Sequence, residues 1–274
     1  MTTLISWKGN DSRGIASIYL ASDSRFSWKK FHWDYGQKVY GCANFPEIIG
    51  YCGDVLLAIN IISSLIELID NEIIYRNIIS SDDKNRIVFE FIKEKFSLFP
   101  KNSDTTIVHI IKDSSNEFSY YEIKYNYKNS CWKNIKKNNI MEKESNLIEV
   151  YGSGKTFYRK NIVANSISDL YKTSRFYYMV LCNTLNEAKD KLTGGAPQVT
   201  GLYRGLNKSI KIGTIWNGER FLYGMKIKSD FNINKFEWRN INFERYKANE
   251  NKLIEGAKKQ PRPKNMKNHL DNKI

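Results

Sequence analysis

The sequence predicts an α+β protein in which two mainly antiparallel sheets lie between helix layers, a four-layer αββα sandwich. Three observations predict it. Apolar runs fall into blocks of strands, helices, strands, helices and strands, an order that builds stacked layers. Hairpin-type turn residues, Gly9-Asn10-Asp11-Ser12 early and Asn217-Gly218 late, separate strand runs. Between them, Val55, Ile59, Ile62, Ile66 and Ile69 recur at helical spacing.

Residues 3–8 and 15–22 read as the first two strands, the second a buried run without Pro. A hairpin centred between Asp11 and Ser12 sets Ala21 opposite Thr2, with Asp23 one same-face step further on. Residues 26–35, aromatic and basic, read as a loop or distorted ribbon. Residues 37–43 and 47–52 form a second hairpin across Asn44-Phe45-Pro46. Gly53 ends it, and Asp54 caps the helix that follows. A second helix spans about residues 84–99 and stops at Pro100.

Strands follow at 105–111, 118–127 and 130–136, then at 147–150, which leads into Gly152-Ser153-Gly154. A helical region covers about residues 161–192, broken near 172–174 and stopped by Gly194 and Gly195. Three strands, 198–204, 210–216 and 220–227, complete a domain of residues 1–228. Residues 229–274 read as a basic extension with a short helix near 249–259 and a disordered end.

Aromatic residues make up 14% and apolar residues 41%, which excludes a wholly disordered chain. Lys and Arg number 43 against 29 acidic residues, a formal charge of +14. That balance alone fits nucleic acid, acidic partners or plain solubility. Lys258, Lys259, Arg262, Lys264 and Lys267 concentrate part of it at the C-terminus, the feature behind a nucleic-acid-binding alternative. Cys42, Cys52, Cys131 and Cys182 have neither CxxC pairing nor a nearby His, and read as reduced core or near-core residues of a cytoplasmic protein. His32, His109 and His269 lack metal-ligand spacing, so no metal site is expected. A signal peptide and a membrane-length apolar run are both lacking.

The start of the chain suggests chemistry. Methionine aminopeptidases remove Met before a small residue, and Thr2 is small enough. Release of Met1 places a hydroxyl and a free α-amine on one residue. A Thr hydroxyl attacks only when a base takes its proton, and that amine, with an ordinary pKa of about 7.7–8, can serve. A Met-Thr start is also common for no catalytic reason.

Further residues, in order, resemble the proteasome β-subunits and their bacterial relatives among the N-terminal nucleophile (Ntn) hydrolases. Thr2-Thr3 resembles the nucleophile strand, and Ala21-Ser22-Asp23-Ser24-Arg25 resembles the A-D-S-R segment with its Asp at Asp23. Lys38 falls where the family has its strand lysine. Gly50 to Asp54 (GYCGD) resembles the oxyanion-hole segment, with Gly53 as N–H donor. Gly152-Ser153-Gly154 supplies Ser153, and residues 189–195 (KDKLTGG) supply Asp190 and Thr193. The resemblance spans about residues 2–223. Thr193 stands for the usual Ser and Lys189 for the usual Arg, the first turn is long, and residues 112–149 are unusual.

The resemblance implies a threonine-type peptidase on polypeptide amide bonds. Thr2 Oγ1 attacks, its own amine accepts the proton, and Lys38, countered by Asp23, lowers the amine's proton affinity. Gly53 N–H meets the oxyanion. Ser153, Asp190 and Thr193 order the amine and a water. Tyr40, Tyr51 and Val55 fall where the family lines its first specificity pocket. It implies a ring-like homo-oligomer fed by an ATP-driven unfoldase. The rival readings are a non-proteolytic amidohydrolase or an inert structural subunit of the same fold, and the nucleic-acid binder.

Overall fold

The opening hairpin pairs β1 (Leu4–Asp11) with β2 (Gly14–Ser22). Its tight turn is Ser12-Arg13, where Arg13 N donates to Asp11 Oδ1 at 2.8 Å and Gly14 takes φ +104°. A bulge falls between Gly9 and Asn10, so that Leu4 faces Ser22 and Ile5 faces Ala21. This register corrects the expected one: Asp23 is brought to Thr3, with Asp23 N donating to Thr3 O at 3.4 Å. The computed structural model describes residues 2–28, 31–75, 80–97, 99, 103–137, 144–228 and 231–257.

The expected ribbon is a short hairpin of β3 (Phe26–Trp28) and β4 (Phe31–Trp33) that stands apart from both large sheets. Next come β5 (Val39–Gly41), β6 (Glu47–Cys52), α1 (Val55–Asp70) and α2 (Ser81–Ser97). β7 (Thr105–Lys112), β8 (Phe118–Asn126) and β9 (Cys131–Lys136) complete a five-stranded antiparallel sheet in the order β5-β6-β7-β8-β9. β10 (Asn146–Tyr151) returns to pair with β1, with Leu4 opposite Tyr151. α3 (Lys155–Ala164) and α4 (Ser174–Glu187) follow; Thr173 caps α4, and Ala188 ends it in the left-handed region at φ 49°. The helical block is therefore two shorter helices that stop before Asp190.

β11 (Gln198–Tyr203), β12 (Ser209–Trp216), β13 (Glu219–Leu222) and β14 (Met225–Lys226) extend the second sheet, ordered β10-β1-β2-β11-β12-β13-β14. The chain stays folded past Lys228. β15 (Glu237–Arg239) runs parallel to β12 and carries β16 (Arg245–Tyr246) on its other edge, making this sheet nine-stranded. Trp238 is buried over Gly213, where an added Cβ would come within 2.5 Å of the indole. Phe243 joins the Trp7, Tyr19 and Tyr178 rings. Residues 249–257 form turns and an isolated bridge where a helix was expected. Lys258, Lys259 and the basic residues after them lie outside the described residues.

Leu4, Ile18 and Leu20 of the nine-stranded sheet meet Val39, Ile48, Val108 and Ile110 of the five-stranded one in a core of their own. Gly50 lets the sheets close: a Cβ there would lie 3.0 Å from Leu4 Cδ1. Tyr40, Tyr51 and Ile62 belong to a second core with α1 and α2, and Trp7, Tyr178 and Phe243 to a third with α3 and α4.

The expected four-layer αββα Ntn sandwich is overturned. The fold is mostly antiparallel β, 37% strand against 24% helix, with large sheets and four helices among the described residues. The physical reason lies in the stretches read as periphery. The C-terminal extension adds strands β15 and β16 to the larger sheet, with Trp238 buried against β12 and Phe243 built into the core shared with α3 and α4. Among the described residues no helix is long and apolar enough to cross a membrane.

Candidate active site

β1 begins just after Thr2 and Thr3, and both residues are fully buried. The Gly152-Ser153-Gly154 turn crosses them at contact distance. Gly152 has φ +89°, and a Cβ there would lie 1.8 Å from Thr2 O. One on Gly154 would lie 1.8 Å from Thr3 Oγ1. Glycine is thus required at Gly152 by close approach of the Thr2 main chain and at Gly154 by the Thr3 side chain. Gly154 N in turn points to Thr2 O at 3.5 Å.

Asp23 is the hub. Its Oδ1 accepts from Thr3 N at 2.9 Å and from Lys38 Nζ at 2.9 Å. Its Oδ2 accepts from Arg25 N and Gly194 N, both at 3.1 Å. One carboxylate thus ties together the first strand, the strand lysine and the turn before β11. The Lys38 side chain is fully buried; that burial pushes its ammonium below the ordinary lysine range, and Asp23 opposes the shift.

Asp190 and Thr193 stand on a turn after α4 instead of on a helix end. Leu192 N donates to Asp190 Oδ1 at 3.0 Å, and Thr193 N closes on Asp190 O at 3.2 Å. Arg25 holds this turn. Its guanidinium donates to Lys191 O and Thr193 O at 3.3 and 3.4 Å while forking onto Asp34 at 2.7 and 2.8 Å. That fork holds Arg25 above and Asp34 below their ordinary pKa values. Gly194 fits because a Cβ would strike the Arg25 guanidinium at 2.5 Å.

Three buried oxygens of predicted site residues, Thr2 Oγ1, Ser153 Oγ and Asp190 Oδ2, have no hydrogen-bond partner among the described residues. Thr3 Oγ1 shares that condition. Buried polar atoms are normally paired, and an orphan costs about 1–3 kcal/mol.

Gly53 follows β6 at φ +125°, and a Cβ there would meet Asp104 O at 2.4 Å. It is a required glycine at the α1 entrance, whatever its N–H does in addition. Tyr40 and Tyr51 both donate to Gln37 O, at 3.3 and 3.2 Å, and their rings belong to the core beneath α1. Burial raises both phenols, Tyr40 to about 12. Val55 is the half-buried first residue of α1.

Cys52, close enough to feel Lys38, has its thiol pushed up to about 11 by burial and is a poor rival nucleophile. Cys42 and Cys182 are also buried, whereas Cys131 is exposed, contrary to its reading as near-core. Among the described residues no group of three or more His, Cys, Asp and Glu could hold a metal ion.

Sequence reasoning missed Asp34 and Gln198. Asp34 sits in an aromatic loop with no local pattern, and Gln198 is a lone polar residue opening an apolar strand, so neither carried a signal. No protein-family model matches the chain, and no curated protein matches it.

Proposed function

We propose that the chain is a threonine-type hydrolase of polypeptide amide bonds, with Thr2 as N-terminal nucleophile once Met1 is released. The observation that carries this reading is the fully enclosed Thr2 hydroxyl, without a partner among the described residues and held one residue from a carboxylate that pairs with a buried lysine. Thr2 Oγ1 attacks the scissile carbonyl carbon, and its proton passes to the α-amine. The C–N bond then breaks, the leaving amine takes that proton, and water hydrolyses the remaining ester. Lys38 disfavours a second positive charge on the amine by like-charge repulsion, favouring its free-base form. Gly53 N–H stabilises the oxyanion. Ser153 Oγ and Asp190 Oδ2, both without partners among the described residues, supply the contacts that hold the amine and a water.

Tyr40, Tyr51 and Val55 shape the first side-chain pocket. Ring assembly with further copies and feeding by an ATP-driven unfoldase belong to the same proposal. So does a cytoplasmic location, supported by free cysteines throughout.

The test is an intact-mass measurement on the purified protein, paired with hydrolysis of a peptide library by wild type and Thr2→Ala. Loss of Met1 and cleavage that vanishes in Thr2→Ala are expected. A retained Met1, or cleavage that survives the substitution, overturns the reading.

A further inference from the structure

Gln198 opens β11 and is buried, and the chemistry above does not use it. Its carboxamide makes four hydrogen bonds, all to main chain. Oε1 accepts from Lys38 N at 2.9 Å and Val39 N at 3.3 Å. Nε2 donates to Gly36 O at 2.8 Å and Asp23 O at 3.1 Å. An amide offers two donor hydrogens and two acceptor lone pairs, so this one is saturated. Its orientation is fixed as well: exchanging O and N would set an NH2 against two N–H groups and an oxygen against two carbonyls.

The groups it joins are the main chain of both members of the ion pair. Asp23 lies just past the end of β2, and Lys38 just before β5, the edge strand of the other sheet. On one side Tyr51 N reaches Lys38 O at 3.2 Å, but the Lys38 N–H finds its partner in Gln198. Gln198 itself stands opposite Ser22, the neighbour of Asp23, in the β11–β2 ladder. One side chain therefore fixes where the backbones of Asp23 and Lys38 lie across the gap between two sheets.

We propose that Gln198 is a positioning residue of the Thr2 site, setting the separation at which Lys38 meets Asp23 through hydrogen bonds to their main chain. The proposal rests on the hydrolase reading above. Gln198→Glu keeps shape and acceptor but turns a carboxylate oxygen toward two carbonyls. Protonating that carboxyl at lower pH restores one donor. Gln198→Met keeps length and removes all four bonds.

The experiment measures kcat and KM on a cleaved peptide across pH, with circular dichroism to confirm folding. For Gln198→Glu at neutral pH, kcat is expected to fall about ten- to a hundredfold with KM within about twofold, the scale of a displacement near 1 Å. Its rate relative to wild type should climb as pH is lowered, whereas Gln198→Met should show no such recovery. A Gln198→Glu profile that tracks wild type, or a uniform loss without acid recovery, overturns the positioning role. So does failure of both variants to fold, which makes Gln198 a folding residue only. A wild type that cleaves nothing sinks the hydrolase reading itself, and this proposal with it; an active wild type beside an unaffected variant removes the Gln198 role alone.

Discussion

Lys38 Nζ lies 2.9 Å from Asp23 Oδ1, and both side chains are fully shut off from solvent. Removing one partner of such a pair strands the other charge in a low-dielectric site, at a cost of about 3–5 kcal/mol. Asp23 has a second task, since it also receives Thr3 N, Arg25 N and Gly194 N. Asp23→Ala is therefore expected to destabilise more than Lys38→Met, which leaves those three donors satisfied. Denaturant unfolding of both variants checks this; a larger loss in Lys38→Met contradicts it.

The same pair has an alkaline signature. Burial places the folded-state pKa of Lys38 below its unfolded value near 10.5. Between the two values the unfolded chain binds more protons than the folded one, so stability rises with pH across that window. Lys38→Met lacks this titration. The stability difference between wild type and Lys38→Met should move in favour of wild type as pH approaches about 10.5. Urea unfolding of the two proteins at stepped alkaline pH measures it, and a flat difference refutes it.

At the far face of the five-stranded sheet Glu47 is wholly buried. It accepts from Tyr75 Oη and Lys84 Nζ at 2.9 Å each and faces His109 Nε2 at 3.1 Å. Desolvation pushes its carboxyl up, but His109 and Lys84 together outweigh that and hold it below the ordinary glutamate range. A depressed carboxyl contributes stability above its unfolded pKa, and loses it as pH falls through the folded value. Glu47→Gln should be less stable at neutral pH by about 1–3 kcal/mol and should narrow its deficit as wild type is acidified. Acid titration followed by circular dichroism checks both; a deficit that stays constant to low pH argues against the assignment.

How far the sequence disclosed this arrangement depends on how local each signal is. β5 to β10 and α1 were legible because turn residues and apolar spacing act within a few positions, as Asn44-Phe45-Pro46 and the Val55–Ile69 spacing do. The Asp23–Lys38 pairing came from a resemblance and is met in the structure at 2.9 Å. The first hairpin's register was misread because the turn lies at Ser12-Arg13, one residue later than expected, and because the bulge at Gly9/Asn10, which leaves no mark on an apolar run, shifts it further. The layering failed for a related reason. β15 is a short strand in a polar, charged stretch, and only long-range burial of Trp238 and Phe243 makes it part of a sheet. The Gln198 carboxamide hydrogen-bonds to main chain of residues about 160–175 positions away in sequence, and no side-chain pattern encodes such a contact.

Trp238 tests the folded status of the chain past Lys228. Its indole is buried over Gly213, and its Nε1 donates to Ile233 O at 3.0 Å. Trp238→Ala should cost about 3–5 kcal/mol, the range for emptying a large aromatic site. Ending the chain at Lys228 should be worse still, since it also uncovers Trp7 and Tyr19, which pack on Phe243. Thermal unfolding decides this: a shortened protein with an unchanged midpoint would return these residues to the status of an appendage.

Gly152 and Ser153 are neighbours with opposite expected profiles. At Gly152, φ +89° is already costly for any side chain, and a Cβ 1.8 Å from Thr2 O has nowhere to go except by driving the crossing turn off Thr2. Gly152→Ala should therefore lose both stability, by more than about 2 kcal/mol, and peptide cleavage. Ser153 Oγ is buried and unpartnered among the described residues, so replacing it by hydrogen removes no bond within the described fold and relieves a desolvated oxygen. Ser153→Ala should keep or slightly raise the unfolding midpoint. If that oxygen orders the Thr2 amine and its water, kcat should nevertheless fall by about 10–100-fold. Midpoint and kcat measured on the two variants separate a residue needed for shape from one needed for chemistry. A Ser153→Ala protein that loses stability but not rate would assign Ser153 to the fold.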